Sequence, residues 1–193
     1  MKRICVNCGS SPGFSPVYMK MAEKLGQALV ERNLELVYGG ADVGLMGKVA
    51  DTVLKAGGTV IGVIPKLFAQ QVSHIGLTEL HIVETMHERK TMMFELSDGF
   101  IALPGGFGTL EEISEVLTWS QLGISKKPCG IINVNRYYDT LLSFLDGAVT
   151  EGFMMPEHRD MLLVEESPKI LLEKMYAYKA PSIKKWVGLQ TRK

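Results

Sequence analysis

Two short segments carry residue types that suit phosphate chemistry. The first, PGGFGTLEE at residues 104–112, places three glycines before a threonine and two glutamates. Glycine lets a ligand approach main-chain N–H groups closely, and a helix start adds unpaired N–H groups and the positive end of a dipole. Glycines that lead into a helix therefore indicate an anion site. The segment is neither G-x-G-x-x-G nor a lysine-bearing P-loop, so classical NAD binding and ATP hydrolysis lose support.

The same segment has a purely structural interpretation. T-x-x-E, from Thr109 to Glu112, is the capping-box pattern, in which both side chains pair with backbone N–H groups at a helix start. Glu111 and Glu115 lie four residues apart, a spacing typical of one solvated helix face. The two interpretations are compatible, because a capping glutamate at a helix start still faces whatever the glycines hold.

The second segment, MHERKTMMFELS at residues 86–97, places cations on an apolar helix face. At 100° per residue its methionines and leucine form one face, and Arg89 and Lys90 fall within or beside it. Long cationic side chains can snorkel to solvent from such a position, whereas buried cations require partners. A phosphate would pair with either cation, and a carboxylate such as Glu112 would pair with Arg89.

Strand-like and helix-like segments alternate along the chain and position these two motifs. Near-continuous apolar runs, such as TVIGVIP (59–65) and DGFIALPGG (98–106), alternate with amphipathic stretches. This pattern predicts an α/β fold with a parallel sheet covered by helices on both faces. The longest irregular piece is AQQVSHIGLTE, residues 69–79, which is either a loop over a site or a poorly patterned connection.

Glycine-bearing turns follow three of the predicted strands: CGSSPG, YGGADVGLMG and LPGGFGT. In open parallel sheets ligands bind at the carboxyl ends of the strands. One glycine-rich turn is weak evidence, since glycine is the ordinary residue of tight turns. Three such turns at one edge of a sheet predict a pocket for a phosphorylated ligand.

Size, composition and charge exclude several classes of protein. A length of 193 residues suits one domain, and 46% apolar residues suffice for a sizeable core. Lys+Arg and Asp+Glu both number 21, so the basic excess of a general nucleic-acid binder is absent. No apolar run is long enough to span a membrane, and the first residues lack the apolar region of a signal peptide. We expect a cytoplasmic protein that binds neither nucleic acid nor membrane.

The cysteines and histidines do not indicate a redox or metal site. Cys5 and Cys8 form C-x-x-C within the predicted first strand, where an offset of three puts their side chains on opposite faces. The redox form of this motif starts a helix, and an odd cysteine count argues against a disulfide framework. We expect buried structural cysteines. The four histidines show no metal-ligand spacing.

Four segments, in the order GGADVGLMG, MHERK, SDGFIALPGGFGTLEE and TWSQLG, resemble the LOG (Lonely Guy) family of cytokinin riboside 5′-monophosphate phosphoribohydrolases. Members of that family have often been labelled lysine decarboxylase-like, but no pyridoxal-phosphate constellation is recognisable here. The resemblance covers roughly residues 1–175. It implies a single Rossmann-like, doubly wound catalytic domain at residues 1–180 and a C-terminal tail at 181–193. It also implies a homodimer with its sites near the subunit interface.

The resemblance further implies hydrolysis of the N-glycosidic bond of a nucleoside 5′-monophosphate, without cofactor or metal, to free base and ribose 5-phosphate. By motif position, Arg89 and Glu112 match the catalytic pair. The matching nucleotide contacts are Lys90, Gly105, Gly106, Gly108, Thr109, Glu111 and Thr118. The chain departs from many relatives in having Gln70 and Gln71 where an acidic residue is common, and Ser125 where His is common. The first departure leaves the preferred base open, adenine or N6-prenylated adenine.

Two other functions remain as alternatives. A non-catalytic Rossmann-like carrier of a phosphorylated nucleotide cofactor would use the same glycine turns and release its ligand intact. A nucleotide-sensing module would also bind without turnover. The chemistry of an N-glycosidase fits one site carboxylate, which can stabilise positive charge on the ribose or accept a proton from water. No second site carboxylate is evident, so the general acid for the leaving base is unassigned.

Overall fold

Seven parallel strands form one sheet at the centre of the protein, which a computed structural model describes over residues 1–182. In space the strands follow the order β4-β3-β2-β1-β5-β6-β7, and every pairing is parallel. Their bounds are β1 (Arg3–Asn7), β2 (Glu35–Tyr38), β3 (Val60–Pro65), β4 (Glu79–Val83), β5 (Gly99–Ala102), β6 (Cys129–Ile132) and β7 (Leu162–Glu165).

Helices cover both faces of the sheet. Helices α1, α2 and α8 pack on one face and α4, α5 and α6 on the other, so the core has two apolar layers. The described helices are α1 (Pro16–Glu31), α2 (Gly44–Lys55), α3 (Lys66–Val72), α4 (Met86–Leu96), α5 (Phe107–Gln121), α6 (Asp139–Thr150), α7 (Pro156–Arg159) and α8 (Pro168–Ala177), with a 3-10 turn at Val134–Arg136. The predicted α/β, Rossmann-like, doubly wound single-domain fold is confirmed.

The central strands are apolar on both sides because both of their faces are covered. Every residue of β3 and of β5 is buried. Cys5 packs in the core layer beneath α4 and α5, whereas Cys8 packs in the layer beneath α1 and α2. The prediction of buried cysteines on opposite faces is confirmed, and all three cysteines are free thiols.

The chain changes direction between β1 and β5. From β1 it runs outward through β2, β3 and β4 on one side, and then returns to place β5 on the other side of β1. The connections that leave neighbouring strands in opposite directions open a crevice at their carboxyl ends. Two of the predicted glycine turns, after β1 and after β5, meet at this crevice, where the Gly9 N–H donates to the carbonyl of Pro104 at 3.0 Å.

Two local expectations differ from the structure. The segment at 69–79 is not wholly irregular, because α3 extends through Val72. This helix has no buried residue, so it has no apolar face for a sequence pattern to reveal. Helix α5 starts at Phe107, earlier than its amphipathic pattern indicated. Of the predicted tail at 181–193, all but the first two residues lie outside the described chain. None of the helices in residues 1–182 has the length and apolar character needed to cross a membrane.

Candidate active site

A cleft of about 310 Å³ lies at the carboxyl ends of β1, β2 and β5. Its volume is at the lower end of the range for small-molecule pockets, about 300–1,000 Å³. All three glycine turns or the helices that follow them contribute to its wall. We call it the main cleft; it is lined by Val6, Asn7, Cys8, Gly9, Ser10, Gly39, Met46, Arg89, Gly106, Phe107, Gly108, Thr109 and Glu112.

The N-terminus of α5 forms one wall of the main cleft and has no side-chain cap. Gly106 occupies the N-cap position, and the first intrahelical bond runs from the N–H of Leu110 to the Gly106 carbonyl at 3.1 Å. The N–H groups of Phe107, Gly108 and Thr109 precede that bond, so they lack intrahelical partners. Unpaired N–H groups and the helix dipole make this wall attractive to an anion.

Gly105 and Thr109 fit together in this turn. A Cβ on Gly105 would collide with the Thr109 side chain, which packs against the glycine Cα. Thr109 is buried, and its hydroxyl has no hydrogen-bond partner among residues 1–182. The glycine therefore makes room for a threonine whose hydroxyl group remains available beside the helix N-terminus.

The predicted capping box at Thr109 and Glu112 does not form. Helix α5 begins at Phe107, so Thr109 already lies in its first turn and cannot serve as the N-cap. A second T-x-x-E, at Thr85 and Glu88, caps α4 instead. There the Thr85 hydroxyl accepts from the Glu88 N–H at 3.1 Å, and the Glu88 carboxylate accepts from the Glu84 N–H at 2.9 Å. The Glu112 side chain therefore does not cap the helix.

Glu112 forms an ion pair with Arg89 inside the main cleft. The Arg89 Nη1 donates to Glu112 Oε1 at 2.7 Å, and the two side chains are only 12% and 14% exposed. The Arg89 Nε donates to the carbonyl of Val63 at 3.2 Å, and its Nη2 occupies the space that a Cβ on Gly39 would need. The carboxylate partner predicted for Arg89 is confirmed, and the snorkelling interpretation is wrong for this residue.

The electrostatic environment of Glu112 combines two opposing effects. Burial raises the pKa of its carboxyl above the ordinary value, and the nearby Arg89 charge and hydrogen bond oppose that rise. The net direction is upward, because the carboxyl loses most of its hydration. A carboxyl group with a raised pKa exchanges protons closer to neutral pH, which suits acid–base chemistry.

Lys90 joins α4 to α5 and is not among the residues that line the main cleft. Its Nζ donates to Glu111 and, at 3.1 Å, to Glu115, and the Lys90 side chain is only 13% exposed. The hydrogen bond to Glu111 is the main reason why the pKa of Lys90 is raised. The two glutamates therefore share a buried cation. Glu111 is nevertheless 54% exposed, in agreement with a solvated face, whereas Glu115 is half-buried.

Five of the nine residues predicted for the site meet in the main cleft. They are Arg89 and Glu112, the pair that was predicted to be catalytic, with Gly106, Gly108 and Thr109. Gly105 lines an adjoining cavity, the outer cavity, together with Tyr18 and Tyr137. Lys90 lines a small inner cavity between α4 and α5. Glu111 and Thr118 line none of the described cavities, and the Thr118 hydroxyl donates to the Ser114 carbonyl at 2.8 Å.

Several residues of the site were not predicted. Asn7 ends β1 and lines the main cleft, although a polar residue in the otherwise apolar run RICVN was a usable signal. Gly39 belongs to the turn YGGADVGLMG, and nothing in the sequence shows that Arg89 passes over it. Tyr137 and Tyr138 support the glycine turn from the β6–α6 connection, because their hydroxyls donate to the carbonyls of Gly105 and Leu103, both at 2.7 Å.

The thiols and acidic groups of the described residues do not assemble into a metal centre. Within residues 1–182 no group of three or more His, Cys, Asp or Glu side chains is arranged to hold a metal ion. Burial raises the pKa of the thiols of Cys5, Cys8 and Cys129 well above the usual range, so they stay protonated. The reactive groups on the wall of the cleft are therefore the Arg89–Glu112 pair and the N-terminus of α5.

Comparison with solved structures finds proteins with the same fold. The molybdenum cofactor binding protein of Rippkaea orientalis superposes with a TM-score of 0.70 over 92% of this chain and 97% of that protein. The two sequences are only 22% identical. The likeness shows a shared fold and carries no function.

Comparison with known sequences identifies the family. Residues 46–175 match the profile of a family described as "Possible lysine decarboxylase". The cytokinin riboside 5′-monophosphate phosphoribohydrolase of Rhodococcoides fascians is 52% identical over 165 residues, 84% of this chain and 83% of the relative. A protein of the same name from Arabidopsis thaliana is 49% identical over 191 residues, 96% of this chain and 90% of the relative. The chain therefore belongs to the LOG family, that of the cytokinin riboside 5′-monophosphate phosphoribohydrolases.

Proposed function

We propose that this protein hydrolyses the N-glycosidic bond of adenosine 5′-monophosphates, with or without an N6 substituent, and releases free base and ribose 5-phosphate. The observation that carries the proposal is the Arg89–Glu112 pair in the same cleft as an uncapped, glycine-lined helix N-terminus. Relatives about half identical to this chain bear the name of that activity.

The phosphate binds at the N-terminus of α5. The N–H groups of Phe107, Gly108 and Thr109 and the Thr109 hydroxyl supply donors for its oxygens. Glu112 follows Gly108 by four residues of the same helix, a rise of about 6 Å. That length is close to the separation of phosphorus and anomeric carbon in a nucleotide. A phosphate on the glycine turn therefore brings C1′ of the ribose near the Glu112 carboxylate.

Glu112 acts on the charge and on the water of the reaction. As the bond from C1′ to the base breaks, its electrons leave with the base and positive charge develops on the ribose. The Glu112 carboxylate stabilises that charge and accepts a proton from the water that attacks C1′. The water contributes its hydroxyl to C1′, and its proton finally resides on the released base. Glu112 is suited to this transfer because burial raises the pKa of its carboxyl.

Arg89 keeps Glu112 oriented and charged until substrate binds. Its planar guanidinium uses separate nitrogens for Glu112 and for the Val63 carbonyl, so its position is fixed from two sides. Lys90 supports this arrangement indirectly by joining α4 to α5 through Glu111 and Glu115. A direct nucleotide contact of Lys90 belongs to the proposal on the strength of the motif match alone.

A homodimer in the cytoplasm completes the proposal. Leu122 is half-buried and Ile124 is exposed just after α5, which leaves apolar surface for a partner. Glu111 and Thr118 lie outside the described cavities, so a nucleotide contact with them would come from a site shared across that interface. Three free thiols suit a reducing compartment.

The test is release of base from matched substrates. The protein is incubated with AMP, with isopentenyladenosine monophosphate and with adenosine, and products are separated by chromatography. We expect free base and ribose 5-phosphate from the monophosphates and much less base from adenosine, because the nucleoside cannot occupy the α5 N-terminus. Equal rates on AMP and adenosine would contradict the phosphate site. Tight binding of a monophosphate that is recovered intact would instead favour the carrier alternative.

A further inference from the structure

Asn7 is a buried polar residue on the wall of the main cleft. It ends β1 at the crevice between β1 and β5, and only 3% of its surface is exposed. Its neighbours along the strand, Cys5 and Val6, are apolar and buried. Burying an amide side chain is costly unless its donors and acceptors are satisfied. The hydrogen-bond partners of Asn7 therefore indicate whether its side chain stabilises the fold or is available to bind a ligand.

Only half of the Asn7 amide is satisfied by the protein. Its Oδ1 accepts from the Cys5 thiol at 3.3 Å. No acceptor within residues 1–182 pairs with its Nδ2. The unpaired side-chain atoms that are fully sealed in the described chain belong to Tyr38, His74 and His81. The nitrogen of Asn7 is thus unpaired but open to the cavities that the residue lines.

Asn7 lies beside the carboxylate that the proposed reaction uses. Among the described residues, Asn7 and Glu112 are the two that line both the main cleft and the inner cavity. Together they form the wall between these spaces. An N–H donor next to a carboxylate acceptor is the combination that holds a hydroxyl group, which donates to the carboxylate and accepts from the amide.

We propose that Asn7 donates a hydrogen bond to the 2′-hydroxyl of the ribose and is a specificity-determining residue of this site. The inference rests on the proposed function, in which the Glu112 carboxylate lies near C1′ of the ribose. The 2′-hydroxyl is on the adjacent carbon, C2′. Hydrogen bonds to this position strengthen as a glycosidic bond breaks. A site built to bind a hydroxyl also disfavours a substrate that lacks it, since its buried donor then remains unpaired. Asn7 accordingly favours ribonucleotides over 2′-deoxyribonucleotides.

The experiment compares variants and substrates in one grid. Asn7→Ala and Asn7→Leu, the second with the same branching at Cγ as asparagine, are assayed with AMP, 2′-deoxy-AMP and 3′-deoxy-AMP. We expect kcat/KM to fall about tenfold on AMP and on 3′-deoxy-AMP, the scale of one lost hydrogen bond, and to change little on 2′-deoxy-AMP. Each variant is compared with the unmodified protein on the same substrate, so differences among the substrates in the intrinsic lability of the N-glycosidic bond cancel. Cys129→Ala, which truncates a buried side chain on β6 away from the cleft, is the packing control and should leave all three rates unchanged.

A binding measurement keeps this inference separable from the proposed hydrolysis. Calorimetry in the Glu112→Gln background, where turnover is expected to be at least about 10²-fold slower, gives Kd for AMP and 2′-deoxy-AMP with and without Asn7→Leu. We expect the substitution to weaken AMP binding and to leave 2′-deoxy-AMP binding nearly unchanged. Equal losses on AMP and 2′-deoxy-AMP, in rate or in Kd, would overturn the role of Asn7. An absence of hydrolysis by the unmodified protein would overturn the proposed function, and the Kd comparison would still decide the contact.

Discussion

Replacing Glu112 by glutamine tests the catalytic proposal most directly. The substitution keeps the length of the side chain and an oxygen that accepts from Arg89 Nη1, but it removes the negative charge and the site for a proton. We expect turnover to fall by at least about 10²-fold, the scale of losing acid–base or electrostatic help. That factor corresponds to roughly 2.7 kcal/mol in the activation barrier.

The same substitution should have a limited effect on stability. Removing one partner of a buried ion pair costs about 3–5 kcal/mol when the other charge is left alone. Here Arg89 keeps its bond to the Val63 carbonyl and gains an amide oxygen in place of the carboxylate. The substitution also removes the desolvation cost of a buried carboxylate, which offsets part of the stability lost with the ion pair. We expect a cost of about 1–2 kcal/mol, or a decrease in Tm of roughly 2–8 °C.

The assay is steady-state release of base from AMP, with a thermal melt of each variant. Glu35→Gln is a matched control, because Glu35 accepts from Arg3 Nε at the same distance of 2.7 Å. That pair lies at the amino ends of β1 and β2, the opposite edge of the sheet. A Glu112→Gln protein that melts cooperatively and turns over at the unmodified rate would refute the mechanism. Loss of activity in both variants would point to a general effect of breaking ion pairs.

Four further outcomes are expected. Arg89→Ala should abolish most activity and Arg89→Lys should not restore it, because the single ammonium nitrogen of lysine cannot replace the two guanidinium nitrogens that bind Glu112 and the Val63 carbonyl; full activity of Arg89→Lys would argue against this. Gly39→Ala should lower turnover by displacing the guanidinium, whereas Gly147→Ala, in open space on α6, should not; steady-state rates with melts distinguish them. Burial raises the pKa of Glu112 above its ordinary 4.5, so kcat/KM should fall as the pH decreases through a midpoint above 4.5, and the residual activity of Glu112→Gln should lack that limb. Light scattering should give twice the chain mass of 21.3 kDa, and an active monomer would contradict the dimer.

The sheet and the glycine turns were predictable because burial on both faces leaves a continuous apolar record in the sequence. The Arg89–Glu112 pair was also within reach, since a cation on an apolar helix face requires a partner. Local pattern failed where two segments carried the same signal. T-x-x-E occurs at Thr85 and at Thr109. Thr85 is the N-cap of α4, whereas Gly106 is the N-cap of α5 and Thr109 therefore lies inside that helix.

Contacts between distant segments left no trace that a single sequence could show. Gly39 must be a glycine because of Arg89, which follows β4. In the sequence, Asn7 is simply a polar residue in an apolar strand. Its proximity to Glu112 arises only in the fold, where the chain returns to pair β5 with β1. The short helix α3 escaped prediction for another reason: it buries no side chain, so no periodicity marks it.

Strands β1 and β5 pair side by side, although they belong to parts of the chain that are synthesised at well-separated times. Ile4 pairs with Gly99 across four helices and three strands, so no local segment contains both walls of the cleft. Closing so long a loop is a slow step in folding. A nucleotide that touches both walls can bind only after that step, and its binding energy then stabilises the whole sheet. Substrate should therefore slow amide hydrogen exchange throughout the β1–β5 core, well beyond the residues that it contacts.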